Sequence, residues 1–223
     1  MIAIVLHIYY TEMWEHYKNK LQSLDTKFDL YITLCDEVED ISKDILKSFP
    51  TANIKKYKNR GQDIGPFLLT IKDIRHKDYD YLIKLHTKGF ATLDYVKRKK
   101  KGLRYIKNWR SVLANALISS DDKIKENISI LTDSEYKMCG CKRWHLKRKW
   151  KFSDHEERVY EFIGGTMFMV DFKFFKEIWT DEIIDEYYLQ MPTGYQRDHS
   201  FTHYAERQLG QRVIDAGFKI KGV

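Results

Sequence analysis

The chain has 223 residues, a formal net charge of +7, 43% hydrophobic and 32% charged residues. This length and composition predict one globular domain over residues 1–223 and exclude a disordered chain. The sequence shows no apolar run near the ~20 residues of a membrane-spanning helix and no basic lead-in of a secretory signal. Its three cysteines have no disulfide or zinc spacing, so a reducing, cytoplasmic location is expected.

The first half of the chain predicts strands that alternate with helices. Residues 2–8 (IAIVLHI) form a continuous apolar run, typical of a strand buried on both faces, and further strands are predicted at residues 28–34, 52–57 and 81–85. Three helices are predicted between these strands. The first begins after Thr11, which can cap it. The second occupies residues 40–49 and ends before Pro50, and the third extends over residues 66–74 and begins at Pro66. This alternation predicts an α/β fold with a mostly parallel central sheet flanked by helices.

The second half is less regular. Residues 105–119, 173–180 and 196–209 have helical patterns, and residues 137–141 predict a strand. Residues 161–170 (EFIGGTMFMV) predict another strand with a glycine pair inside it. Glycines in a strand indicate close approach of the backbone to a ligand or to a packed helix. If the glycines indicate a ligand, a sugar is expected over Gly164 and Gly165, with Glu161 or Thr166 bound to its hydroxyls.

Candidate binding residues follow the ends of three predicted strands. In an open parallel sheet, ligands bind beyond the carboxyl ends of the strands. Arg60 and Lys88 suit phosphates, and Asp63 suits the hydroxyls of a ribose or the edge of a base. Each residue alone would more often be structural, so their convergence at one edge carries the prediction of an anionic ligand with hydroxyls. The candidates at this edge are His7, Tyr9, Tyr10, Arg60, Gly61, Asp63, His86, Thr87 and Lys88.

Asp78 and Asp80 form an acidic triplet with Tyr79. Such triplets hold Mn²⁺ or Mg²⁺ against a diphosphate, because hard cations prefer carboxylate oxygens. A chain with 32 acidic residues also produces them by chance, and Asp80 precedes its strand, at the edge opposite the predicted ligand. Two interpretations stay open: a metal site at Asp78 and Asp80, or no metal, with the cationic His86-Thr87-Lys88 stretch neutralising the diphosphate.

A carboxylate that activates an acceptor hydroxyl is the remaining catalytic requirement. Asp198, at the start of the last predicted helix, is the first candidate and Glu161 the second. Asp198 has an alternative interpretation as a first-turn acidic residue that favours the helix dipole.

Six blocks of the sequence together resemble the rhamnan-synthesis F family of glycosyltransferases. They are LHIYYTEMWEHY, FDLYITL, GQDIGPF, YDYLIKLHTKG, the NWR at residues 108–110, and EFIGGTMFMV. The resemblance extends from about residue 2 to residue 217, and a looser one is to the enzyme domain with which large algal viruses glycosylate their capsid. Gln62 departs from the family block, which more often has arginine before the aspartate.

The resemblance implies a GT-A type fold, with a nucleotide-sugar-binding half at residues 1–90 and an acceptor-side half at residues 105–223. It implies a nucleoside-diphosphate rhamnose or hexose as donor, with UDP or dTDP as the nucleotide. The implied acceptor is a glycan or glycoprotein in polysaccharide assembly. It implies that residues 161–166 contact the sugar. It also implies that five residues contact the donor: Arg60, Gly61, Asp63, His86 and Lys88.

Two basic runs, at residues 97–101 (KRKKK) and 142–151 (KRWHLKRKWK), attract phosphates or are solvated loops. Because Trp144 and Trp150 interleave the second run, a nucleic-acid-binding module without catalytic activity is the alternative function. No nucleic-acid motif accompanies the runs, so nucleic acid is not the expected partner. The runs also suit peripheral contact with an anionic membrane.

Overall fold

The computed structural model describes residues 1–88, 109–153, 157–196 and 199–223. The strands are β1 (Ile2–Ile8), β2 (Phe28–Cys35), β3 (Asn53–Tyr57), β4 (Tyr81–His86), β5 (Tyr136–Gly140), β6 (His145–Trp150), β7 (Arg158–Ile163), β8 (Phe168–Asp171) and β9 (Lys219–Gly222). The helices are α1 (Trp14–Gln22), α2 (Ser42–Ser48), α3 (Ile64–Ile74), α4 (Trp109–Ile118), α5 (Asp121–Thr132), α6 (Phe172–Ile178), α7 (Asp181–Gln190) and α8 (Phe201–Asp215).

A seven-stranded sheet with the order β3-β2-β1-β4-β8-β5-β9 forms the centre of the fold. The first four strands of the chain are parallel to one another, and β9 is parallel to β5. Strand β8 is antiparallel to both of its neighbours, while β6 and β7 pair separately as a two-stranded sheet. The predicted α/β fold with a mostly parallel sheet flanked by helices is therefore confirmed.

Two apolar cores cover the two faces of the large sheet. Side chains alternate along a strand, so Ile4 and Leu6 of β1 enter one core and Ala3 and Val5 enter the other. The first core includes residues of α1, α2, α4 and α5, and the second includes residues of α3, α6, α7 and α8. Burial on both faces explains why β1 reads as a continuous apolar run.

The predicted single strand over residues 161–170 is wrong. Strands β7 and β8 belong to different sheets, and a turn at residues 164–167 separates them. Within this turn Gly165 has φ = 80° and Thr166 has φ = 53°. A positive φ is incompatible with extended backbone, so the chain reverses there instead of continuing one ladder.

Other predicted boundaries also need correction. Thr11 does not cap α1 but opens a 3₁₀ turn, Thr11–Met13, after which α1 begins at Trp14. The basic run at residues 142–151 is not a solvated loop, since it contains a 3₁₀ turn and all of β6. Helices α5 and α7 and strand β9 were not predicted. Residues 97–101, 105–108 and 197–198 lie outside the described residues.

Across the described ranges, the helices are all too short or too polar to cross a lipid bilayer.

Candidate active site at the carboxyl edge of the sheet

One face of the central strands changes from apolar to polar towards their carboxyl ends. Along β4, Leu82 lies in the second apolar core, and the next side chains on the same face are Lys84 and His86. Both polar residues are buried, at 1% and 4% exposure. Strand register places His86 beside His7 of β1, which is also buried. The core thus ends in a polar layer at the edge where β1 and β4 end, which we call the carboxyl edge.

Backbone hydrogen bonds join the segments that follow β1 and β4. The Thr87 amide donates to the carbonyl of His7 at 2.9 Å. In return, the Thr87 hydroxyl oxygen accepts from the amides of Tyr9 and Tyr10, each at 3.0 Å. The two strand ends therefore form one bonded unit, with the tyrosine pair at its outer side.

Asp63 is the carboxylate at the centre of the polar layer. It precedes α3, but its side chain makes no capping hydrogen bond to that helix. Its Oδ2 instead accepts from the buried Lys84 ammonium and, at 2.6 Å, from the Thr166 hydroxyl. Its Oδ1 lies 3.4 Å from Nδ1 of His86. Asp63 thus joins the loop after β3 to β4 and to the turn between β7 and β8.

The polar layer shifts the protonation of its members. Burial alone would raise the pKa of Asp63, but nearby groups hold it well below its usual range; they are His86, Lys84 and Lys88. Burial lowers the pKa values of both lysines, while the charge of Asp63 opposes that shift. Burial also lowers the pKa of His7 to about 4 and that of His86 well below 6.5. At neutral pH the layer therefore contains the ionised carboxylate of Asp63 and the neutral imidazole of His7.

A cavity of about 440 Å³ opens on this layer. This volume is within the range of small-molecule sites. Ionisable and hydroxyl groups lie beside aromatic rings, and Tyr195 is 82% exposed at the rim. The lining residues are His7, Tyr9, Tyr10, Asn59, Gln62, Asp63, His86, Thr87, Lys88 and Tyr195.

Seven of the residues predicted at this edge line the cavity together. They are His7, Tyr9, Tyr10, Asp63, His86, Thr87 and Lys88. Gly165 and Thr166 join them from beneath, because the Gly165 carbonyl accepts from His86 Nε2 at 2.8 Å and Thr166 binds Asp63. The roles of these residues in binding stay predictions.

Arg60, Gly61 and Gly164 are not among the lining residues. The Arg60 guanidinium donates to the carbonyls of Tyr188 and Leu189 at the end of α7, at 3.4 and 3.3 Å. A Cβ on Gly61 would lie 2.2 Å from the Met191 sulfur, so this glycine, with φ = 71°, allows a turn to pack closely. Likewise a Cβ on Gly164 would lie 2.6 Å from a Leu146 methyl, which supports the packing interpretation of that glycine.

The predicted catalytic and metal residues lie elsewhere or are not described. Asp198 lies outside the described residues. Glu161 faces β6, where its carboxylate binds His145 Nε2 at 2.7 Å and Lys147 Nζ at 2.8 Å. The pair Asp78 and Asp80 precedes β4, at the opposite edge from the cavity, and both contact Lys173.

Several members of the site were not predicted. They are Asn59, Gln62, Lys84, Tyr195 and Glu206, whose carboxylate accepts from the Gly165 amide at 3.0 Å. Lys84 carried a usable signal, because a lysine inside the apolar run YLIKL must find a buried counter-ion. The others come from loops and a distant helix, and no local pattern marks them.

The donor set at the cavity does not fit a hard divalent cation. Mg²⁺ and Mn²⁺ sites use several carboxylate, carbonyl or phosphate oxygens. Among the described lining residues the sole carboxylate is Asp63, and its Oδ2 already binds Lys84 and Thr166. A group of Cys35, Asp36 and Glu37 with metal-ligand spacing lies outside the lining, and both of its carboxylates are exposed.

The family model for rhamnan synthesis protein F matches residues 1–130, more than half of the chain. The chain therefore belongs to the rhamnan synthesis protein F family, as the sequence blocks predicted. Family membership supports a role in polysaccharide biosynthesis and indicates an enzyme that acts on nucleotide-linked substrates. No curated protein matches the chain.

Two solved structures are similar to the chain in outline. One is CMP:2-keto-3-deoxy-manno-octonic acid synthetase complexed with CTP, with a TM-score of 0.45 and 7% identity over 100% of this chain and 88% of that one. The other is 4-diphosphocytidyl-2C-methyl-D-erythritol synthase, with a TM-score of 0.43 and 12% identity over 93% of this chain and 96% of that one.

Proposed function

We propose that the chain is a glycosyltransferase that moves rhamnose or a hexose from a UDP- or dTDP-linked donor to a glycan or glycoprotein acceptor. The observation that carries this proposal is the cavity at the carboxyl edge. There Asp63, from the loop after β3, faces the same space as His86 and Lys88, from the end of β4 and the segment after it, beside exposed aromatic rings. Family membership supplies the chemical context of polysaccharide assembly.

The diphosphate of the donor would bind beside Lys88. This lysine lines the cavity, and a buried second cation, Lys84, lies behind Asp63. A nucleoside diphosphate gains negative charge as it leaves the sugar, so a fixed cation in a partly buried site favours the transition state. Because the lining does not fit a metal, we assign this charge neutralisation to the side chains and route no step through Mn²⁺ or Mg²⁺.

The nucleoside would bind towards the outer rim. Tyr10 and Tyr195 both line the cavity and are exposed, at 37% and 82%. Aromatic side chains stack on nucleobases with about 1–3 kcal/mol per base. Asn59 and Gln62 lie in the same lining and can bind base or ribose edges.

The sugar would then lie over the turn that contains Gly165 and Thr166, which joins the polar layer from the second half of the chain. Transfer to an acceptor hydroxyl forms the new glycosidic bond as the bond from the anomeric carbon to the diphosphate breaks. A base takes the hydroxyl proton. Asp198 stays the proposed base, and Glu161 is a poorer candidate because His145 and Lys147 of β6 occupy its carboxylate.

The test is release of nucleoside diphosphate from labelled UDP- and dTDP-sugars, with and without acceptor glycan. We expect release by the wild type in excess chelator, and a loss of at least about tenfold in Lys88→Ala. Lys173→Ala, at the opposite edge, is the matched control. No release with any donor, together with no nucleotide binding, would rule out the transferase.

Membrane contact through the basic runs stays a secondary proposal. In β6, Lys147 and Lys149 project from the two-stranded sheet and pair with Glu161 and Glu157 at 2.8 and 2.7 Å. No nucleic-acid-binding motif accompanies these lysines in the sequence, so we do not propose nucleic-acid binding. Co-sedimentation with anionic vesicles would support membrane contact, and equal sedimentation with neutral vesicles would contradict it.

A further inference from the structure

The turn between β7 and β8 is held by side chains from two separate elements, β4 and α8. His86 of β4 donates to the Gly165 carbonyl at 2.8 Å, and Lys84 donates to the Thr166 carbonyl at 3.0 Å. From the other side, Glu206 of α8 accepts from the Gly165 amide at 3.0 Å. Such anchoring is needed because Thr166, with φ = 53°, occupies a backbone region that costs β-branched residues free energy.

Close packing of α8 brings Glu206 to this turn. Gly210 lies one helical turn after Glu206 in α8, and because it lacks a side chain, the helix packs closely against β7. A Cβ at Gly210 would lie 2.6 Å from the Glu161 carbonyl oxygen and 2.6 Å from Cα of Phe162. Because residues i and i+4 share a helix face, this contact directs Glu206 at the end of β7.

Glu206 also acts on the cavity by its charge. Its side chain is 20% exposed, and its Oε2 lies 4.0 Å from the Arg207 guanidinium. Together with Asp63, it opposes the burial that lowers the pKa of Lys88. The carboxylate of α8 is thus near both the turn and the lysine that we assign to the diphosphate.

We propose that Glu206 is a positioning residue for sugar transfer, whose carboxylate oxygen holds the Gly165 amide and so fixes the turn beneath the donor sugar. The proposal rests on the proposed function. It makes α8, an element of the second half of the chain, part of the donor site formed by the first half.

Two variants separate the hydrogen bond from the charge. Glu206→Ala removes both, whereas Glu206→Gln keeps an oxygen that can accept from Gly165. We expect Glu206→Ala to lower kcat about tenfold or more with less than about a threefold change in KM for the donor. Glu206→Gln is expected to recover kcat to within about threefold. Glu186→Ala, on the exposed side of α7, is the matched control.

Amide hydrogen exchange gives a second readout that needs no turnover. The Gly165 amide is expected to exchange about tenfold faster or more in Glu206→Ala and near the wild-type rate in Glu206→Gln. Unchanged exchange in Glu206→Ala would overturn the proposal. A Gln variant as inactive as the Ala variant would also overturn it, because the charge would then be the requirement. A wild type without nucleotide binding would instead reject the proposed function, and exchange would still decide whether Glu206 holds the turn.

Discussion

The two ends of strand β4 carry the same chemical pair in different surroundings. Towards its carboxyl end, Lys84 binds Asp63, with side-chain exposures of 1% and 13%. Before its amino end, Asp80 binds Lys173 at 2.8 Å, with exposures of 45% and 56%. Water screens the exposed pair of Asp80 and Lys173, so this pair contributes about 0–1 kcal/mol to the free energy of unfolding. In the buried pair of Asp63 and Lys84, each residue depends on the other to remain charged.

This difference in exposure distinguishes an ordinary polar surface from a candidate binding site. At the amino end, the carboxylates of Asp78 and Asp80 contact Lys173, Asp80 also binds the ammonium of Met1, and the lining of the cavity does not include them. At the carboxyl end, several loops converge, so charged groups are packed together and partly shielded from water. The acidic triplet was the more conspicuous motif in the sequence, but the less conspicuous Lys84 marks the candidate site.

The largest expected effect is on stability. Asp63→Ala would leave the buried Lys84 without its counter-ion and is expected to lower the free energy of unfolding by about 3–5 kcal/mol. Asp80→Ala, at the other end of β4, is expected to lower it by about 1 kcal/mol at most. Urea denaturation of the two variants measures both values. Equal losses would contradict the contrast between the two ends.

Stability is next expected to depend on pH through His7. Its pKa is about 4 in the folded chain, against 6.5 for an ordinary histidine, so the unfolded chain binds more protons between these values. Stability is therefore complete above pH 6.5 and falls by roughly 3 kcal/mol as pH drops towards 4. Denaturation at several pH values should show a weaker slope in His7→Gln. The exposed His76, which precedes β4, is the control, and His76→Gln should keep the wild-type slope.

Nucleotide affinity is expected to change by a smaller free energy. Lys88→Ala should weaken UDP or dTDP binding about tenfold, which corresponds to about 1.4 kcal/mol, because a phosphate contact is lost. Lys173→Ala should bind as tightly as the wild type. Titration calorimetry compares the two directly, and the contrast fails if both variants lose affinity alike.

The smallest effect is expected at Glu161. Its carboxylate lies between His145 and Lys147 of β6 and is not part of the cavity lining. Glu161→Gln should keep nucleotide release within about twofold of the wild type and lower stability by about 1 kcal/mol or less. A loss of turnover near the hundredfold level would return Glu161 to the role of base.

Elements with a strong apolar pattern could be predicted from the sequence. The burial of β1 on both faces produced an unbroken apolar run, and Pro66 indicated the first turn of α3 correctly. The turn at Gly165 and Thr166 could not be predicted, because the flanking residues of β7 and β8 read as one apolar stretch. Only the positive φ values, which long-range contacts impose, reveal the break.

The candidate site was predictable in position but not in composition. The rule that parallel strands present ligands at their carboxyl ends brought His7, Asp63 and Lys88 to one cavity. Arg60 followed the same rule, but its guanidinium is bound to carbonyls of α7. Glu206 reaches the site through the close packing of Gly210 on β7, a tertiary contact that local sequence does not encode.

The central claim, that a nucleoside diphosphate binds at the carboxyl edge, is tested most directly by amide chemical shifts during titration with UDP and dTDP. The account predicts shifts at the segments after β1 and β4 and at the loop around Tyr195, with none at Asp80 or Lys173. Shifts confined to the amino end of β4, or no shifts at millimolar nucleotide, would contradict it.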